Sequence, residues 1–169
     1  MINRMVRVLQ NDLTLWPELK KDPEASSQGY LVILLIAAGS ALTGTFIGGS
    51  LGDIFLLFPI NLVRTLAGYV IVLVIAYFLS NGGSADSTFD QLRTALAYGY
   101  TPTILAGIPL IGILFGLWTL VTISSAIRET MGISKGMTYY IVILSIVVNF
   151  VIIGIMVTTL IGLFDTTQL

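Results

Sequence analysis

Long apolar runs separated by short polar breaks dominate the chain. The longest, Thr94–Ile127, holds 34 residues without a charge. As one helix it would measure about 51 Å, against a bilayer hydrocarbon core of about 30 Å. Pro102 and Pro109 interrupt it. A split at Gly107-Ile108-Pro109 leaves Thr94–Gly107, about 21 Å of helix and short for a crossing, and Pro109–Ile127, which is long enough. The other runs, about 30–50, 59–80 and 137–163, each suffice for one span. The pattern predicts an all-α polytopic bundle of five transmembrane helices over residues 30–169, after a polar arm, 1–29.

In the arm, Ile2, Met5, Val6, Leu9, Leu13 and Trp16 recur at three- and four-residue spacing. This predicts a short amphipathic helix, either interfacial with Arg4 and Arg7 towards anionic lipid or packed on the protein's own loops. Trp16-Pro17 is expected to end it, with Lys20–Gln28 as a polar connector. Gly48-Gly49-Ser50-Leu51-Gly52-Asp53 reads as a turn, Pro59 as a first-turn residue, and Asn81-Gly82-Gly83-Ser84 as a stop.

Charge asymmetry orients the spans. Five crossings place Arg4, Arg7, Lys20, Lys21, Arg93, Arg128 and Lys135 on the side of the N-terminus and Arg64 alone on the other. A four-crossing chain with one long kinked helix gives five against three. Basic residues collect in the cytoplasm, so the five-span reading predicts a cytoplasmic N-terminus and an outer C-terminus.

Composition narrows the chemistry. The chain is 56% hydrophobic and 10% charged with mean hydropathy +0.95, far from the roughly 25% charge of soluble domains. A net charge of −1 argues against nucleic acid. Cysteine and histidine are absent, which removes thiolate and imidazole metal sites, haem ligation by either residue and a catalytic triad. No enzyme activity, metal or other cofactor is expected. The first 29 residues lack the apolar core of a signal peptide.

A few polar groups interrupt the spans. Arg64 lies inside the second, with Asn61 one turn away and Asp53 in the preceding turn as candidate counter-ion. Asn149 lies mid-way along the last span, where an interhelical hydrogen bond is the ordinary role. Asp53, Asn61, Arg64 and Asn149 form a candidate intramembrane polar site, or a topology anchor and packing contacts. Ser40, Gly44, Gly48 and Gly52 at four-residue intervals, and Gly112 with Gly116, are candidate close-approach faces. Pro102 should free a backbone carbonyl that Thr101 or Thr103 could satisfy.

Several stretches carry a family resemblance. Leu96-Ala97-Tyr98-Gly99-Tyr100-Thr101-Pro102, Gly107-Ile108-Pro109-Leu110-Ile111-Gly112, Leu117-Trp118-Thr119-Leu120-Val121 and Ile127-Arg128-Glu129-Thr130-Met131-Gly132-Ile133-Ser134-Lys135-Gly136 resemble the Yip1 domain family of polytopic membrane proteins. The Trp16-Pro17 pair and the Lys-rich Asp22-Pro23 connector fit as well. The resemblance implies five spans and a cytosolic N-terminus. Eukaryotic relatives act in vesicle traffic and bind Rab-type GTPases through a longer arm and an Asp-Leu-Tyr-Gly-Pro-like element. This chain has Asp22-Pro23-Glu24 there, so GTPase binding is not carried over. The compact form resembles prokaryotic members, implying a cell or inner membrane, with an endomembrane the counterpart in a eukaryote.

The expected function is a non-enzymatic scaffold or adaptor that touches lipid, other membrane proteins or its own copies. Arg93, Arg128 and Glu129 are the candidate partner contacts. Two alternatives stand beside it. One is a small transporter or channel subunit with a path through Asn61, Arg64, Tyr98, Tyr100, Thr101 and Asn149. The other is an accessory subunit that meets a foreign helix through Gly44/Gly48 and Gly112/Gly116.

Overall fold

The computed structural model describes residues 1–46, 51–80, 88–106, 108 and 110–166, with backbone alone at 44–46, 51–57, 153 and 156–166. The elements are α1 (Ile2–Leu9), α2 (Leu15–Lys21), α3 (Pro23–Phe46), α4 (Leu51–Ser80), α5 (Phe89–Gly99), a 3-10 segment (Thr101–Leu105), α6 (Ile111–Met131) and α7 (Lys135–Thr166). No strand occurs among the described residues.

Among the described residues, four helices are long and apolar enough to cross a membrane, over Pro23–Thr43, Phe58–Ser80, Ile111–Met131 and Lys135–Ile152. Their outer faces expose Leu34, Val70, Phe78, Ile113, Leu117 and Phe150. So much contiguous apolar surface matches lipid as solvent, and the chain is a multi-pass membrane protein.

The uncharged 34-residue stretch is not one helix. α5 ends at Gly99, the 3-10 segment at Leu105, and α6 starts at Ile111. Gly99 faces Ile123 and Ala126, Thr103 meets Thr119, and Gly112 abuts Ala106. These pairs converge on the bend, so the chain reverses direction between Ala106 and Ile111. Gly107 and Pro109, the expected break, lie outside the described residues; Leu110 there has φ +66°.

Other contacts fix the remaining directions. Ser26 and Gly29 lie beside Arg93 and Thr94, while Gly39 and Thr43 lie beside Ile104, so α3 runs parallel to α5. Tyr77 meets Phe89 and Tyr69 meets Tyr100, so α4 runs antiparallel to both. α5 and its 3-10 continuation together span about 26 Å, slightly less than a hydrocarbon core. The pair is walled by α3, α4 and α6, and Leu92 to Tyr100 are all buried.

Four local expectations are corrected. The arm is two helices, broken at Gln10–Thr14 where Asn11 adopts φ +53°, a left-handed conformation asparagine tolerates. Pro17 stands in the first turn of α2, where its missing N–H costs nothing. The connector Lys20–Gln28 is largely helical: the Asp22 carboxylate accepts the Glu24 N–H at 2.8 Å and Pro23 opens α3, a side-chain cap followed by a preset φ. Gly52 and Asp53 belong to α4, which starts at Leu51 and passes through Pro59. Helices continue past the apolar runs because capping and packing, which hydropathy does not report, decide where they stop.

Candidate functional site

The arm is clamped against the bundle, from the end of α6 at Thr130 to Trp118 well along it. Arg4 ion-pairs through Nη2 with Asp22 and donates from Nη1 to Gln28 Oε1 at 3.3 Å. The Tyr98 hydroxyl donates to the same Gln28 oxygen at 3.1 Å. Arg7 forks onto Asp12 at 2.7 Å and Glu18 at 2.6 Å. The Trp118 indole N–H donates to the Leu9 carbonyl at 3.1 Å, and Ser125 reaches Asn11 at 3.4 Å. Leu15, Trp16 and Leu19 are buried beneath.

Arg4 and Arg7 are therefore engaged by the chain's own acids instead of lipid phosphate. The predicted apolar stripe divides: Met5 packs on the core and Trp16 is buried, while Ile2, Val6 and Leu13 stay exposed. Val8, outside the predicted stripe, is fully buried.

Local hydrogen bonds hold the arm's acids in the charged form. Asp12 is brought down to about 2 by the Thr14 hydroxyl, then by Arg7 and the Thr14 N–H. At Asp22 partial burial opposes ionisation, yet the Glu24 N–H and Arg4 prevail and its carboxyl lies below the usual value. Asp90 is lowered by the Ser26 hydroxyl and by Arg93.

Arg93 is a bolt inside the bundle and not a partner contact, because it is only 5% exposed. Its guanidinium reaches Asp90 at 3.0 Å and the Ser26 carbonyl at 2.9 Å, and lies 3.6 Å from the Tyr30 ring centroid. Its carbonyl accepts from the Tyr69 hydroxyl at 2.8 Å, which ties α3, α4 and α5 together. Arg128 and Glu129 are placed differently. They pair with each other at 2.6 Å at the arm end of α6, with side chains 27% and 31% exposed.

A cavity of about 480 Å³ opens between α4, the 3-10 segment, α6 and α7. It gathers Asn61, Arg64 and Asn149 of the predicted polar site, with Tyr100. Tyr98 and Thr101 do not line it: Tyr98 serves the clamp, and the Thr101 hydroxyl donates to the Tyr98 carbonyl at 2.5 Å. Asn149 donates to the Gly68 carbonyl at 3.4 Å. Asp53 is no counter-ion for Arg64. The two are eleven positions apart on continuous α4, about 16 Å along the axis and beyond the reach of an ion pair. Arg64 has no ion pair among the described residues.

The small-residue faces also separate. A Cβ on Gly112 would lie 2.9 Å from the Ala106 carbonyl carbon, whereas one on Gly116 meets nothing within 4 Å. Gly112 thus serves the chain's own hairpin and is not free for a foreign helix. Ser40 lines the cavity, Gly44 is described in backbone only, and Gly48 lies outside the described residues.

Sequence reasoning missed the roles of Trp118, Thr122 and Lys135. Thr122 closes α5 by donating to the Gly99 carbonyl at 2.7 Å. Lys135, with Arg128, stands at the mouth of a second cleft of about 540 Å³ between α6 and α7. A polar residue mid-span was the available signal for Trp118 and Thr122.

No curated protein and no solved structure matches the chain. The Yip1 domain model matches residues 6–156, from within α1 to the C-terminal half of α7, and the chain belongs to the Yip1 domain family.

Proposed function

We propose that this protein is a non-enzymatic Yip1-type scaffold or adaptor that crosses the membrane five times, with the clamped arm in the cytoplasm and the C-terminus outside. The alternating directions of α3, α4, α5 and α6, and the short connection from Met131 of α6 to Lys135 of α7, support five crossings, as does the excess of basic residues on the arm side. Residues 30–169 would then form the membrane domain, in the cell membrane of a prokaryote.

The observation that carries the reading is the clamp itself. Arg4, Arg7, Gln28, Tyr98 and Trp118 hold the arm in one arrangement. That arrangement leaves Ile2 and Val6 exposed on α1, and the Arg128–Glu129 pair is part-exposed on α6. A preformed surface of this kind binds a partner without the ordering cost of a loose tail. The partner is another membrane protein or a second copy.

The chain is naturally free of cysteine, so single cysteines serve as topology probes. Thiol labelling in intact cells should place Gln10→Cys inside and Gln168→Cys outside; both on one side would overturn five crossings. A photocrosslinking residue at Ile2 or Val6 should capture a defined partner chain, and one at lipid-facing Phe78 should not. Monomer at every position would overturn the adaptor reading.

The cavity at Arg64 favours a second reading, a small transporter or channel subunit. Its test is solute flux in proteoliposomes that is lost in Arg64→Leu.

A further inference from the structure

The cleft between α6 and α7 has the layout of a lipid site. Its mouth carries Arg128 and Lys135, and its floor is apolar, through Leu120, Val121, Ile143 and Ile146. Glu129 occupies the Nε and Nη2 of Arg128, which leaves Nη1, and is not part of the lining. Lys135 is exposed and forms no ion pair among the described residues. α7 begins at Lys135, so the positive end of its backbone dipole lies at the same mouth. Among the hydroxyls in the lining, Ser124 is committed to the Leu120 carbonyl, Ser125 to Asn11 and Thr138 to the Ser134 carbonyl, while Tyr139 is exposed one turn along α7 from Lys135. Binding capacity is thus cationic at the mouth and apolar below.

We infer that this cleft binds an anionic glycerophospholipid from the arm-side leaflet, its phosphate between Arg128 and Lys135 and one acyl chain along the α6–α7 seam. Depth selects the occupant. From Lys135 to Ile146 is about 16 Å along α7, close to half of a 30 Å hydrocarbon core and so one leaflet deep. Basic pockets between spanning helices are a recurring means of holding anionic head groups. A bare anion would leave the apolar floor empty, and a zwitterionic lipid would place a second cation beside Lys135. The inference stands whether or not a protein partner docks on the arm.

The test uses the full chain in nanodiscs of phosphatidylcholine doped with phosphatidylglycerol, with bound lipid counted by native mass spectrometry after release. Phosphatidylglycerol should be retained over phosphatidylcholine. Lys135→Glu should reduce that preference by at least roughly fivefold, the effect of one basic residue at a membrane surface. Lys21→Glu, an exposed lysine elsewhere on the arm, should leave it unchanged. Ser124→Phe, which fills the cleft while leaving both cations in the sequence, should lower retention of phosphatidylglycerol. An equal loss in Lys21→Glu would show a diffuse charge effect and overturn the site, as would full retention in Ser124→Phe. Inorganic phosphate that displaces the lipid at micromolar concentration would reassign the mouth to a free anion.

Discussion

Substituting alanine at Gly112 and, separately, at Gly116 tests the hairpin that divides the long apolar stretch. At Gly112 the added methyl would lie 2.9 Å from the Ala106 carbonyl carbon and closer still to its oxygen, where carbon atoms prefer 3.5–4.0 Å. The two backbones must part by at least about 0.6 Å. They are held by Gly112 N–H to Ile108 O at 2.6 Å and by Thr103 with Thr119 at 3.3 Å. Overpacking of this kind costs about 1–3 kcal/mol. The helix-propensity gain of alanine, about 1 kcal/mol in a helix interior, is smaller at the second residue of α6. At Gly116 the methyl meets nothing, so only the gain applies, about 0.5–1 kcal/mol. With up to about 0.5 kcal/mol of that gain set against the overpacking at Gly112, the variants should differ by about 1–4 kcal/mol, with Gly112→Ala the weaker. Reversible unfolding in mixed detergent and SDS micelles, followed by helicity and tryptophan fluorescence, measures the difference. Equal midpoints would refute the close approach and with it the hairpin geometry.

Three further outcomes follow from named contacts. Thr122→Val keeps the shape but leaves the Gly99 carbonyl without its 2.7 Å donor; a loss of about 1–3 kcal/mol is expected in the same unfolding assay. Arg4→Met removes the links to Asp22 and Gln28, so amide exchange over Ile2–Leu9 should rise with little change in α6. The arm should also release in acid. Asp12 has a folded value near 2 against 3.8 unfolded, and Asp22 is lowered too, so their contribution is complete above about pH 4 and disappears as pH falls towards 2. Pepsin cleavage within the arm should accelerate over that interval, and Asp12→Asn should flatten the response.

Much of the architecture was legible because bilayer thickness and helix rise turn run lengths directly into spans. The interruption of Thr94–Ile127 could be read from its excess length, and Thr101 or Thr103 as donors to the local backbone beside Pro102; it is Thr101 that donates to the Tyr98 carbonyl, while Thr103 meets Thr119. What hydropathy could not show is how polar residues are used. Arg93 carries the same charge as Arg128, yet one is enclosed against Ser26, Asp90 and Tyr30 and the other remains half-exposed. Only the packing of α3 on α5 separates them. Asp53 and Arg64 were paired on the assumption of a turn at residue 53, and the continuity of α4 through Pro59 removes it. Asn61 was placed one turn from Arg64 and Asn149 mid-way along another span, and the wall of one cavity holds all three.

The enclosed α5 and its short continuation bear on how the chain enters the bilayer. At about 26 Å, with Arg93 near its start, this segment has little affinity of its own for lipid. Its stability depends on walls contributed by α3, α4 and α6. On the five-crossing reading, the translocation machinery cannot release it sideways when it first emerges. It must wait until the next helix has been synthesised, and the two then pass into the membrane as a single unit, which makes α6 an intramolecular chaperone for the segment before it.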